Sequence, residues 1–118
     1  MSTGRLTTHV LDLSAGRPAA GMYVVLVRLE ASELFLTERQ TNADGRVDPP
    51  LLVGEQLVAG RYELRFAVAA YFAVCGLSLP EPPFLDIVPI RFGIADPSAH
   101  YHVPLLVSPW AYSTYRGS

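Results

Sequence analysis

Three side chains in this sequence of 118 residues can take and return a proton near neutral pH without large perturbation: His9, His100 and His102. An imidazole with an ordinary pKa near 6.5 suits general acid and base work. His100 and His102 stand two residues apart, so on a strand they share a face. Two imidazoles on one face admit two chemistries, proton exchange with water or ligation of one zinc ion. Zinc needs a third protein ligand and usually a fourth, and only His9 offers itself, because no Cys pair or Glu has the spacing. Arg46 is the cation to set beside them. It follows Asp44-Gly45, a strong turn signal that fixes where the guanidinium leaves the backbone. An Arg so placed can bind a carboxylate or urea-like oxygen through two parallel hydrogen bonds, or stabilise charge growing on a carbonyl. The plainer alternatives are strand histidines with ordinary partners and a surface Arg neutralised by Asp44 and Asp48.

Paired carboxylates, Gly-X-Ser-X-Gly, phosphate-cradling loops and Gly-X-Gly-X-X-Gly are absent from the sequence. The lone Cys75 cannot form an internal disulfide. Small apolar neighbours on both sides and no adjacent cation predict an inert, buried thiol.

The elements that must position these groups read mainly as strands. Residues 22–29 are β-branched and aromatic over a strand's length. Residues 61–68 alternate, with Tyr62, Leu64, Phe66 and Val68 on a dry face and Arg61, Glu63 and Arg65 on a wet one. Residues 6–11, 33–39, 87–94, 100–107 and 110–115 complete about seven short strands separated by turn signals, the pattern of an antiparallel β-sandwich. Within 100–107, Tyr101, Val103 and Leu105 form the expected core face, opposite His100, His102, Pro104 and Leu106. His9 shares a face with Thr7 and Leu11, and the pattern alone does not say which way that face points. One short helix is expected over residues 69–77, with Gly76 as its C-cap. No repeat or linker interrupts the sequence, so residues 1–118 are read as a single domain.

Composition bounds the remaining possibilities. The chain is 50 % hydrophobic and 17 % charged with a formal net charge of −2, against about 25 % charged in ordinary soluble domains. All nine cations are Arg. High apolar content excludes intrinsic disorder, and the absence of a basic surplus argues against a nucleic-acid partner. Residues 97–115 carry no charge; Pro104, Pro109 and two His make them strand and not membrane span. So few solvating side chains on so small a domain point to an oligomer. The first residues lack the apolar core of a secretory signal, which predicts a cytoplasmic protein. Residues 110–118, dense in aromatic and hydroxyl groups, read as docked.

The segments Leu6-Thr7-Thr8-His9-Val10-Leu11-Asp12, Thr41-Asn42-Ala43-Asp44-Gly45-Arg46 and His100-Tyr101-His102-Val103-Pro104-Leu105-Leu106-Val107-Ser108-Pro109, with the final Tyr115-Arg116-Gly117-Ser118, together resemble the 5-hydroxyisourate hydrolases of the transthyretin-related family. The resemblance runs from His9 to the last residue, and Tyr-Arg-Gly-Ser is its most specific element. It implies an all-β, prealbumin-like sandwich of two four-stranded sheets with one short helix. It also implies a homotetramer, a dimer of dimers, with sites at the dimer–dimer interface. The implied activity is hydrolysis of the N1–C6 amide of 5-hydroxyisourate to 2-oxo-4-hydroxy-4-carboxy-5-ureidoimidazoline, a step of urate degradation, without metal or organic cofactor. The implied catalytic residues are His9, Arg46 and His102, with His9, Arg46, Tyr115 and Ser118 binding substrate and His100 in support. The rival expectations are a non-catalytic transthyretin-like carrier of a small aromatic ligand and a zinc-dependent amidohydrolase.

Overall fold

The computed structural model describes residues 3–118. In chain order its elements are β1 (Arg5–Thr7), β2 (Val10–Asp12), β3 (Arg17–Pro18), β4 (Tyr23–Leu29), β5 (Glu33–Gln40), β6 (Leu52–Val53), β7 (Gly60–Ala67), α1 (Val68–Val74), β8 (Ile87–Ile94), β9 (His100–His102), β10 (Leu105–Val107) and β11 (Tyr112–Thr114). They form a β-sandwich. One layer is a continuous antiparallel sheet of order β5-β4-β7-β8. The other is split into a part of order β6-β1-β9 and a part of order β11-β10-β2-β3.

The split explains why eleven strands stand where about seven were expected. The expected strand 6–11 divides into β1 and β2 around Thr8 and His9, and the expected strand 100–107 divides into β9 and β10 around Val103 and Pro104. The two interruptions lie side by side. β1 runs parallel to β9 and β2 runs parallel to β10, while Val103 N–H donates to the Thr7 carbonyl (2.9 Å) and Leu105 N–H to the His9 carbonyl (2.8 Å). Inside the gap the Thr8 hydroxyl donates to the Val103 carbonyl at 2.8 Å, so a side chain satisfies a backbone acceptor.

Side-chain alternation survives the break. Leu6, Thr8, Val10 and Asp12 are buried, as are Tyr101, Val103, Leu105 and Val107; Thr7, His9, Leu11, His100, His102 and Leu106 face outward and are only partly covered. This places His9 on the outer face. From β7, Tyr62, Leu64, Phe66 and Val68 fill the core as expected. The wet face of β7 needs correction at Glu63, which is buried beneath Arg65 and Arg91. The helix begins at Val68 and buries Val68, Tyr71 and Phe72. Its buried stripe stops there, so Cys75, expected to be buried, caps the helix in an exposed position. Gly76 follows at φ +88°, the left-handed conformation that ends a helix. No helix among the described residues is long and apolar enough to cross a membrane.

Candidate active site

Arg46 owes its position to the turn before it. Asn42 Oδ1 accepts the backbone N–H groups of Asp44 (2.9 Å) and Arg46 (3.1 Å), and the Asn42 carbonyl accepts the Gly45 N–H (2.9 Å). Below the turn, the buried Thr41 hydroxyl donates to the Ala19 carbonyl (2.7 Å) and accepts the Met22 N–H (2.8 Å). Gly45 has φ +74° and presses on the backbone of Val10, whose carbonyl a Cβ at position 45 would strike. Only glycine satisfies both demands. Val10 N–H then donates to the Gly45 carbonyl at 2.8 Å, and His9 pairs with Arg46 in an antiparallel bridge.

The same docking is repeated on the other side of the split. Gly117 N–H donates to the His102 carbonyl at 2.7 Å, and His102 N–H donates back to the Gly117 carbonyl at 3.3 Å. A Cβ on Gly117 would lie 2.8 Å from His102 Cδ2, so the missing side chain is what lets the final segment rest against the imidazole. Arg116 holds the segment down, with its guanidinium 4.5 Å from the centre of the Tyr101 ring and an N–H donated to the His100 carbonyl (3.3 Å). Four distant parts of the sequence, at positions 46, 7–9, 102–103 and 117, therefore lie as neighbouring strips across one sheet.

A cleft of about 410 Å³ opens on this outer face, and Arg46, His102, His100, Thr7, Thr8, Arg5 and Ser118 are among its lining residues. The expected site is gathered in part. Arg46, His102 and Ser118 line the cleft; His9 lies beside it, bridged to Arg46. Tyr115 turns away, exposed, into a separate apolar groove shared with Phe92 and Tyr101. Thr7 was missed. Its hydroxyl lies 2.8 Å from both His100 Nε2 and His102 Nδ1. The available signal was its place in the alternation, on the face of His9. Asn42, read in the sequence with Asp44 and Gly45 as part of the turn, shapes it through its side-chain oxygen.

The electrostatics of the cleft lower the pKa of all three imidazoles. Partial burial lowers the His102 pKa below its ordinary value, helped by Arg46, His100 and His9. Burial and then Arg46 lower that of His9, against a hydrogen bond to the Asp44 backbone and the Asp44 charge. Burial, Arg5 and Arg116 lower that of His100. Among the described residues Arg46 makes no ion pair, although Asp44 and Asp48 line the same cleft. The arrangement can accept a proton from water at an imidazole and place a guanidinium against an oxyanion. Among the described residues no group of three or more His, Cys, Asp or Glu is placed to hold a metal ion.

Comparison with known proteins gives a consistent picture. The sequence model of the HIUase/Transthyretin family matches residues 6–117. A 5-hydroxyisourate hydrolase of Ralstonia nicotianae is 58 % identical over 117 residues, covering 98 % of this chain and 99 % of the relative. Among solved structures, an (S)-allantoin synthase superposes with a TM-score of 0.95 at 48 % identity over 99 % of this chain, which spans only 44 % of that longer one. Sea bream transthyretin, solved in complex with thyroxine, superposes with a TM-score of 0.86 at 26 % identity, covering 96 % of this chain and 94 % of its own.

Proposed function

The chain belongs to the HIUase/Transthyretin family, and from that membership and the geometry of the cleft we propose that it hydrolyses 5-hydroxyisourate by using His102 as base and Arg46 as oxyanion partner. The reaction is the hydrolytic opening of a cyclic amide in urate degradation. The observation that carries the residue assignment is the meeting in one cleft, across a split sheet, of His102 and of Arg46, which has no ion pair among the described residues.

Opening a cyclic amide requires a base for water, a donor for the developing oxyanion and an acid for the departing nitrogen. His102 takes the water proton and the hydroxide forms a bond to the carbonyl carbon at C6. The oxyanion faces Arg46. When the C6–N1 bond breaks, the nitrogen takes its proton from His102, which leaves the imidazole neutral again and one water added across one amide. His9, beside Arg46 and tied to the Asp44 backbone, orients the water. Ser118 and Tyr115 position the substrate ring.

Residues 1–118 act as a single domain, and the working unit is a homotetramer, a dimer of dimers, in the cytoplasm. Support for association comes from the exposed large side chains Trp110, Tyr112, Tyr115 and Leu13 beside an open outer sheet face. Such aromatic groups are enriched where subunits meet. Tyr115, outside the cleft of one protomer, contributes to substrate binding in the assembled molecule.

The decisive experiment is to generate 5-hydroxyisourate from urate with a urate oxidase and follow its ultraviolet decay with and without the protein. Acceleration over spontaneous hydrolysis, surviving exhaustive EDTA treatment, is the expected result. Unaccelerated decay with tight binding of a flat aromatic ligand would establish the carrier, and loss of activity on chelation would establish the zinc enzyme.

A further inference from the structure

Two hydrogen bonds meet at the Thr7 hydroxyl, one shared with each histidine of β9. Its Oγ1 lies 2.8 Å from His100 Nε2 and 2.8 Å from His102 Nδ1. Parallel pairing of β1 with β9, with Arg5 opposite His100 and Thr7 opposite His102, holds the three side chains together on the outer face. A threonine hydroxyl has one hydrogen to give. Thr7 therefore donates to one ring, and the other ring must donate to Thr7 with its own N–H. This condition couples the two tautomers. Either His102 carries its proton on Nδ1 and His100 accepts at Nε2, or the roles are exchanged.

The charges around the cleft choose between these arrangements. With Nδ1 turned to Thr7, Nε2 is the His102 nitrogen left for the cleft that Arg46 and Arg5 line. In a neutral imidazole the unprotonated nitrogen is the negative end of the ring. A lone pair facing the Arg46 guanidinium, the cation that acts on this ring, is favoured over an N–H facing it. On the His100 side burial, and then the nearby charges of Arg5 and Arg116, lower the pKa of the ring, which favours the form able to accept from Thr7.

We propose that Thr7 is a positioning residue that sets the tautomers of both histidines: His102 Nδ1–H donates to Thr7, Thr7 O–H donates to His100 Nε2, and His102 Nε2 is left as the free base. The proposal rests on the reading of His102 as the base. It also gives His100 a function, as the acceptor that orients the Thr7 hydrogen. Without that acceptor the hydroxyl is free to turn its hydrogen onto His102 Nδ1, which would put the His102 proton on Nε2 and abolish its basicity toward water.

The test uses the full chain labelled with 15N-histidine, at a pH where the imidazoles are neutral. Long-range 1H–15N spectra report which nitrogen of each ring is protonated, and single-histidine substitutions assign the three rings. Both His100 and His102 should appear as the Nδ1–H tautomer. In Thr7→Val, whose β-branched side chain keeps the strand preference, the His102 signal should shift toward Nε2–H. There kcat should fall by about ten-fold or more, in the range of an acid–base contribution, with KM little changed. Thr7→Ser, which restores the hydroxyl, should recover both tautomer and kcat. A wild-type His102 protonated on Nε2, or a Thr7→Val enzyme with unchanged kcat, overturns the proposal. The wild-type spectrum decides the matter even if Thr7→Val does not fold. If the tautomers are as stated but His102→Gln retains full turnover, the base assignment fails and the positioning of the rings by Thr7 stands.

Discussion

In the sheet β5-β4-β7-β8 the strands run seven or eight residues, and one cluster of charges is closely paired: Glu63 accepts from Arg65 and from Arg91 (2.7 Å), and Arg65 also reaches Glu33 (2.6 Å). In the split sheet no strand exceeds three residues, and Arg46 stands without an ion pair among the described residues, next to imidazoles whose pKa values are lowered mainly by burial. The first sheet uses ladder continuity and charge pairing to hold the sandwich. The second gives up ladder continuity at Thr8 and Val103–Pro104, and in return polar side chains from four distant segments meet on one face. A cation neutralised as Arg65 is could not stabilise a passing oxyanion. An Arg left open can.

The largest effects should therefore fall on the split sheet. His102→Ala and Arg46→Ala should each lower kcat/KM toward 5-hydroxyisourate by about 10²-fold or more, the usual consequence of deleting a base or an oxyanion donor, while circular dichroism shows the fold retained. Arg91→Ala, made on the paired sheet, should leave kcat/KM within about two-fold, since it touches no part of the cleft. An equal loss in all three variants would erase the distinction between the sheets.

The converse substitution is Leu64→Ala. Leu64 is fully buried in the continuous sheet, and its truncation should cost about 2–5 kcal/mol in denaturant unfolding while kcat per folded molecule stays near wild type. A smaller perturbation sharpens the view of the split sheet. Gly117→Ala pushes a methyl group into the His102 ring and should lower kcat by about ten-fold through misplacement of the base, with little change in unfolding midpoint. Retained turnover would mean that the final segment does not fix the imidazole.

The two sheets should also separate by pH. His9, His100 and His102 have pKa values lowered in the fold, mainly by burial. The unfolded chain therefore binds protons first, and their contribution to stability, complete above about pH 6.5, is lost as pH falls from there through the lowered folded values. Turnover should follow the same limb, rising with pH through a half-maximum that lies below the ordinary imidazole midpoint. Glu63 titrates elsewhere. Burial pushes its pKa up, but the hydrogen bonds from Arg65 and Arg91 outweigh that and hold it below the usual carboxylate range. Its contribution persists through mild acid and is lost only as pH falls through that depressed value. Denaturant unfolding across pH, read beside the rate profile, checks both windows.

Much of this was legible in the sequence, residue by residue. The alternation in 61–68 and 100–107 assigned core and outer faces except at Glu63 and at Pro104, which is buried although expected on the outer face, and Asp44-Gly45 marked the turn that carries Arg46. The errors share a cause. Glu63 was placed on a wet face because alternation records which side a residue takes and not whether two Arg close over it. Cys75 was placed in the core because its neighbours are apolar, whereas the helix runs past its buried stripe before reaching it. Thr7 went unnoticed because its partners are 93 and 95 residues away.

By itself the sequence determined the quantities that depend on near neighbours: strand periodicity, turn chemistry, the titratable groups available, and the motif set that marks the family. Tertiary structure alone decided the quantities that depend on pairing between distant strands. Parallel registry of β1 with β9 sets Thr7 against both histidines, the bridges at His9–Arg46 and His102–Gly117 draw two loops across the split, and Tyr115 is turned out of the cleft. Alternation is a property of one backbone, fixed by its own dihedral angles. Convergence is a property of register, which only the packed sheet defines.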